Sequence, residues 1–421
     1  MRRLIVLAVV LGLAVLAGGL IQRRLSGHSK PVDVAAFLAA HWQRPLKPQG
    51  QVPADFSALE GSLAAASCSS CHQPQWQDWR TSLHAGTVSA GLLWQFHLMA
   101  PAAANECLDC HAPLAEQKAL IAREFGWPNA PRREPPAYVP PGLAHEGLSC
   151  AACHVRRHER FGPSARDTVA SPSAHHGFTA NPAFEDSRFC SSCHQFPDDG
   201  PRVAGKLRED TYAQWQASRF AAEGVACQSC HMPDRRHLWQ GIHAPEMVRK
   251  ALAVALEANA GQLSATLTNV GAGHYFPTYL VPEVRAQLWL MDKGEERLLG
   301  DAVIAWKVNI DLDKEEFDTR LPPGGTLKLE VPFPRAASAD AAVELRLEVA
   351  PGEHYERSFA SVLVQRNKLD ATTLKLLEQA LAETRAGRYS LTLGRYPIAA
   401  CVAGPQQRQK SLMISGLGCE S

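Results

Sequence analysis

A multidomain α+β fold is predicted by three features of the 421-residue sequence. A five-letter word, C-x-x-C-H, recurs five times between residues 68 and 231, in text that reads as short helices and loops. Near residue 250 the pattern changes to short alternating apolar segments, the period of strands. Residues 370–386 then return to a helical period. The expectation is a mostly α-helical, loop-rich module over 61–248, an immunoglobulin-like β-sandwich over 249–365, and a C-terminal helix with its tail over 366–421. Residues 1–30 and 31–60 precede these as a membrane segment and a linker.

The N-terminus sets the compartment. "MRR" precedes an uncharged run from Leu4 to Ile21, and "QRR" follows it. Eighteen apolar residues just span a bilayer as a helix. The length of the run and the basic residues after it predict an uncleaved anchor. Ala17 and Gly19 keep a cleaved signal as the second choice. Either way the rest of the chain is exported, on the periplasmic side of a bacterial inner membrane. Residues 31–60 carry no strong period and read as a tether. The net charge of +1 gives no footprint for nucleic acid.

The words "CSSCH" (68–72), "CLDCH" (107–111), "CAACH" (150–154), "CSSCH" (190–194) and "CQSCH" (227–231) take ten of the twelve cysteines. Composition predicts about 0.01 such words by chance. Zinc knuckles pair two C-x-x-C units and need no histidine directly after the second cysteine. A dithiol oxidoreductase needs one C-x-x-C, not five. Covalent haem attachment explains every letter. Cysteines at i and i+3 project from one side of a helical turn and reach both vinyl groups of one porphyrin. The next residue then lies under the ring, where its imidazole binds iron.

Five covalently bound haem c groups are therefore expected. Their attachment points are Cys68, Cys71, Cys107, Cys110, Cys150, Cys153, Cys190, Cys193, Cys227 and Cys230, and their proximal ligands are His72, His111, His154, His194 and His231. About 33 residues per haem are too few for independent cores. The porphyrins must themselves fill the interior and pack close together.

Each iron has a second face, where methionine raises the potential and histidine leaves it lower. Only Met99, Met232 and Met247 lie in the module, and Met232 adjoins a proximal ligand; histidine is more plentiful. In "CHQPQWQDWRTSLHAG", Trp76, Trp79 and Leu83 recur at helical spacing, which predicts a helix with an aromatic face on a porphyrin. His84 stands twelve residues after His72, about 18 Å along such a helix. It must serve another haem and so join two segments. The same text echoes later: "WRTSLHA" at 79–85 returns as "WQASRFA" at 215–221, with Phe220 in place of the histidine.

His145 precedes the third word in a Pro- and Gly-rich loop and is a further candidate, as are His237 and His243 after the fifth word. Of the pair His175 and His176, His176 is preferred. His97, in an apolar segment, reads as packing. His158 reads as part of a solvated basic run. In "TNVGAGHYFPTYL", Gly271 and Gly273 let backbone approach a flat cofactor closely. His274 between them either completes a haem or belongs to an ordinary glycine-rich turn.

"CSSCHQPQWQDWRTSLHA", "AHEGLSCAACH", "SPSAHHGF", "GVACQSCHMP" and "GAGHYFPT" together resemble exported multihaem c-type cytochromes. The resemblance covers residues 60–280 and is nearest to the lineage of the tetrahaem cytochrome of ammonia oxidisers and octahaem hydroxylamine oxidoreductase. It implies bis-histidine haems in stacked pairs, with His84, His145 and His176 as distal ligands at matching positions. Two departures weaken an enzymatic reading. The C-x-x-C-K word of pentahaem nitrite reductases is absent, and no tyrosine matches the cross-linking tyrosine of hydroxylamine oxidoreductases.

Past residue 250, "ALAVALEA", "QLSATLTNV", "EVRAQLWLMD", "AVIAWKVNI", "TLKLEVPFP" and "AVELRLEVA" read as strands of a cover or docking module without catalytic residues. In the helix that follows, Asp370 is the expected cap, Leu374, Leu377 and Leu381 the buried face, and Gly387 the stop. Cys401 and Cys419 are expected to pair as a disulfide. The functional expectation is an electron relay between redox protein partners, a donor and an acceptor. The alternative is an oxidoreductase with one open haem iron acting on a small nitrogen or sulfur oxyanion.

Overall fold

The computed structural model describes residues 33–164, 177–259 and 261–398. The N-terminal membrane segment, His175, His176, Cys401 and Cys419 lie outside the described residues. Among the described residues no helix is long and apolar enough to cross a membrane.

Four of the five words sit on short helices that end at the histidine: Pro101–His111, Cys150–His154, Arg188–His194 and Cys227–His231. The first word bridges two helices, with Cys68 closing Ala65–Cys68 and His72 capping Gln73–Trp79. One helical turn therefore fixes both cysteines and the histidine of every word. The rest of this half is loop-rich, as expected, and its buried residues form two small clusters, around Leu108 and around Leu143.

Residues 33–60, the described part of the stretch read as a linker, fold onto the module. Asp33 caps a helix at Val34–His41. Leu46 and Leu63 are buried with Leu114, Tyr138, Leu143 and Ala151. These contacts are scattered along the chain, so they leave no period in the sequence.

The second half contains eight longer strands: β1 (Leu252–Asn259), β2 (Gln262–Asn269), β3 (Glu283–Asp292), β4 (Glu295–Val308), β5 (Glu315–Asp318), β6 (Thr326–Pro332), β7 (Ala342–Ala350) and β8 (Tyr389–Pro397). They form two antiparallel sheets, ordered β5-β4-β3-β7-β8 and β6-β2-β1. Alternation fixes the faces: Leu263, Ala265 and Leu267 of β2 and Val284, Ala286 and Leu288 of β3 all point into one shared core. All six strands read from the sequence are present. The segment read as helix and tail adds a further one, since β8 pairs with β7.

The C-terminal helix runs Ala371–Ala386, and the Asp370 carboxylate accepts the Thr372 and Thr373 amides. Leu377 and Leu381 are buried, while Leu374 is half-buried. Their partners are Ala90 and Trp94 of the Ala90–Phe96 helix and Phe359 of Glu353–Leu363. This helix therefore ties the sandwich half back to the first half. Leu377 is fully enclosed, so Leu377→Ala is expected to cost about 2–5 kcal/mol in denaturant unfolding. A loss below about 1 kcal/mol would show that this joint is loosely packed.

Candidate functional site: a cavity walled by five haem words

Every cysteine and histidine of the five words lines one cavity of ≈ 2730 Å³. That is several times the roughly 300–1,000 Å³ of a pocket for one ordinary ligand. Among the described residues no three His, Cys, Asp or Glu side chains converge as an all-protein metal site requires. The donors are arranged instead in pairs facing across open space. His84 and His194 have ring centroids 6.3 Å apart, His154 and His237 6.1 Å, and His231 and His274 6.2 Å with planes 14° from parallel. One iron bonded to two imidazoles holds their centroids about 6 Å apart.

The hydrogen bonds select the nitrogen. Nδ1 of His111 meets the Thr87 carbonyl at 3.1 Å, that of His154 meets Phe161 at 2.7 Å, and that of His231 meets Gln240 at 2.6 Å. His237 and His274 do the same with Arg235 (2.9 Å) and Tyr275 (2.8 Å). A carbonyl on Nδ1 fixes the tautomer that leaves the Nε2 lone pair for a metal. Burial, reinforced by neighbouring His194, holds His84 at about 3. Burial likewise lowers His154 and His274 to about 4, against the opposing pull of their carbonyl partners. These imidazoles are neutral at any physiological pH, the form that binds metal. The residues therefore fit covalent haem, which would supply one-electron chemistry at iron.

The cysteines of different words also meet. Cys68 contacts Cys150, Cys110 contacts Cys193, and Cys190 contacts Cys227; each contact lowers one thiol and raises its partner. Cys153 lies close enough to Cys190 and Cys193 to raise both.

Several placements differ from the sequence reading. The first helix stops at Trp79, because the Thr81 and Ser82 hydroxyls donate to the Asp78 and Trp79 carbonyls. His84 thus stands in a turn, and Leu83 is exposed. His145 does not line the cavity; it is exposed, with Nε2 on Glu124 at 2.8 Å. His243 lines the cavity, but no second imidazole stands beside it among the described residues. His158 is buried, not solvated. With Arg157 it forms a two-residue left-handed turn (φ 63° and 52°) between two short strands, against Tyr138. Gly271 and Gly273 line the cavity, with the positions of their missing side chains against protein. A Cβ on Gly271 would lie 2.1 Å from the Lys250 carbonyl, and one on Gly273 3.1 Å from Trp215.

Two contributors escaped the sequence reading. His41 contacts the Cys153 carbonyl through Nε2 at 2.8 Å. Arg44 reaches the sulfurs of Cys110 and Cys193 at 3.3 and 3.7 Å. Both lie in the stretch read as linker, where no motif marks them.

Residues 67–125 match the family of cytochrome c554 and c-prime. The fold matches the crystal structure of a penta-heme cytochrome c552 from Thermochromatium tepidum, with TM-score 0.52 and 20% identity over 80% of this chain and 98% of that one. These matches make the chain similar to multihaem c-type cytochromes. No curated protein matches this chain in sequence.

Proposed function

We propose that the chain carries five haems and relays electrons between a membrane or periplasmic donor and an acceptor protein, anchored on the periplasmic side of a bacterial inner membrane by its N-terminal segment. The observation that carries this reading is the set of sulfur contacts between words. Haems attached through Cys68 and Cys150, Cys110 and Cys193, or Cys190 and Cys227 must meet at those edges. The sulfur contacts link the first word to the third, the second to the fourth, and the fourth to the fifth. His84 closes the iron of His194, His237 that of His154, and His274 that of His231. An iron with two imidazoles exchanges electrons without changing its ligands. The likeness to the ammonia-oxidiser and hydroxylamine oxidoreductase lineage agrees with this role. The immunoglobulin-like sandwich then serves as cover and as a docking face for a partner.

One observation favours the second reading. Among the described residues no second imidazole stands beside His111, and Tyr355 lies near the Cys107 sulfur of the same word. An open iron there, next to a phenol, is the arrangement an oxidoreductase for a small nitrogen or sulfur oxyanion would need. Reductive titration of the purified holoprotein separates the two. The relay predicts uptake of five electrons per chain and low-spin iron throughout. A high-spin iron that binds nitrite, hydroxylamine or sulfite and turns it over would replace the relay with the oxidoreductase.

A further inference from the structure

The echo between residues 79–85 and 215–221 is reproduced bond for bond in the structure. Trp79 Nε1 donates to the Leu148 carbonyl at 2.8 Å, and Trp215 Nε1 to the Val225 carbonyl at 3.0 Å. Leu148 and Val225 each stand two residues before the first cysteine of a word, Cys150 and Cys227. Ser82 and Ser218 each return a hydroxyl to the tryptophan carbonyl at 2.7 Å.

The residue before each tryptophan completes the parallel. Asp78 accepts the backbone amide of His237 at 3.1 Å and holds Arg236 through both oxygens, at 3.2 Å from Nε and 2.6 Å from the terminal nitrogen. Gln214 accepts the backbone amide of Tyr275 at 3.0 Å and the Thr278 hydroxyl at 3.2 Å, and donates to the Thr278 carbonyl at 3.3 Å. Each helix thus grips the approach to one word and the strap bearing the histidine that faces that word's own. Gln73–Trp79 joins His154 to His237, and Thr211–Gln216 joins His231 to His274.

The straps need holding. Asp234, Arg235 and Trp239 all have left-handed backbone (φ 55°, 59° and 42°), a conformation that costs non-glycine residues free energy unless contacts hold it. The second strap is pressed against its helix, with Gly273 on Trp215 and Phe220.

We infer that Asp78 and Gln214 are positioning residues of a duplicated clamp, which hold His237 and His274 opposite His154 and His231. The inference rests on the reading above that these two histidines close those two irons. Neither Asp78 nor Gln214 touches an imidazole ring. They fix the backbone from which the ring projects, while the carbonyls of Arg235 and Tyr275 fix its rotation. The second copy works with an uncharged amide, so the carbonyl acceptor matters and the charge of Asp78 does not.

The test measures carbon monoxide binding and high-spin absorbance in fully haem-loaded protein. His237→Phe and His274→Phe should each open one iron. Asp78→Ala should open the same iron as His237→Phe, with a rise in the carbon monoxide-binding fraction of about tenfold or more, because the acceptor that holds the His237 backbone is lost. Asp78→Asn should restore closure. Gln214→Ala should do at the His274 iron what Asp78→Ala does at the His237 iron, and it carries the test alone if Asp78→Ala does not mature. Unchanged carbon monoxide binding in the alanine variants, alongside open irons in the phenylalanine variants, overturns the clamp and leaves the ligand reading standing. Closed irons in the phenylalanine variants overturn the ligand reading itself. A lowered melting temperature alone, with every iron closed, would reduce Asp78 to a structural contact.

Discussion

His84→Phe is expected to leave folding and haem content intact and to open one iron, that of His194. The two rings lie 6.3 Å apart, with His84 Nδ1 buried and without a protein partner. A buried nitrogen without a hydrogen bond is costly, and a metal bond on this ring is the compensation the site offers. Phenylalanine fits the local turn, because Phe220 occupies the echoed position and is buried there. The variant should show one high-spin iron per chain, bind one equivalent of carbon monoxide, and shift that iron upward in potential as a strong donor is lost. A spectrum that stays entirely low-spin, with no carbon monoxide bound, would reduce His84 to packing.

The second large effect concerns folding without haem. The sandwich has its own core, shared between both sheets and including Leu267, Leu288 and Leu345, all fully buried. Among the described residues, two small clusters formed largely within the first half flank a cavity of ≈ 2730 Å³. Its walls include Leu83 and Phe178, large apolar side chains that are exposed. A chain produced without haem attachment should therefore keep its β-sheet circular dichroism and a protease-resistant fragment beginning near residue 245. Residues 61–248 should be digested. A resistant fragment covering 61–248 in the haem-free chain would mean that polypeptide packing, not porphyrin, supports that half.

Legibility in the sequence followed the range of each interaction. The six strands read after residue 250 are all present because period-2 alternation in segments such as "QLSATLTN" encodes which face is buried. Asp370 is a cap because its carboxylate reaches amides two and three residues on. The strand Tyr389–Pro397 went unread. It has the same alternation, but only its pairing with Ala342–Ala350, across two helices, separates it from a tail. The helix Glu353–Leu363 also went unread, since its apolar face is built against Trp94 and the C-terminal helix.

The same distinction divides the haem sites. The sequence by itself determined the candidate haem attachment points, because two cysteines and a histidine stand within five consecutive residues on one helical turn. Only the tertiary structure decided which histidine stands opposite which. His274 is 43 residues from His231 yet 6.2 Å from it ring to ring, while His145, five residues before Cys150, turns out to Glu124. The facing histidine arrives from across the cavity, on a strap whose course depends on contacts such as Asp78 with His237 and Gln214 with Tyr275. Nothing in the text beside a histidine encodes those contacts, since they depend on distances in space that sequence separation does not measure.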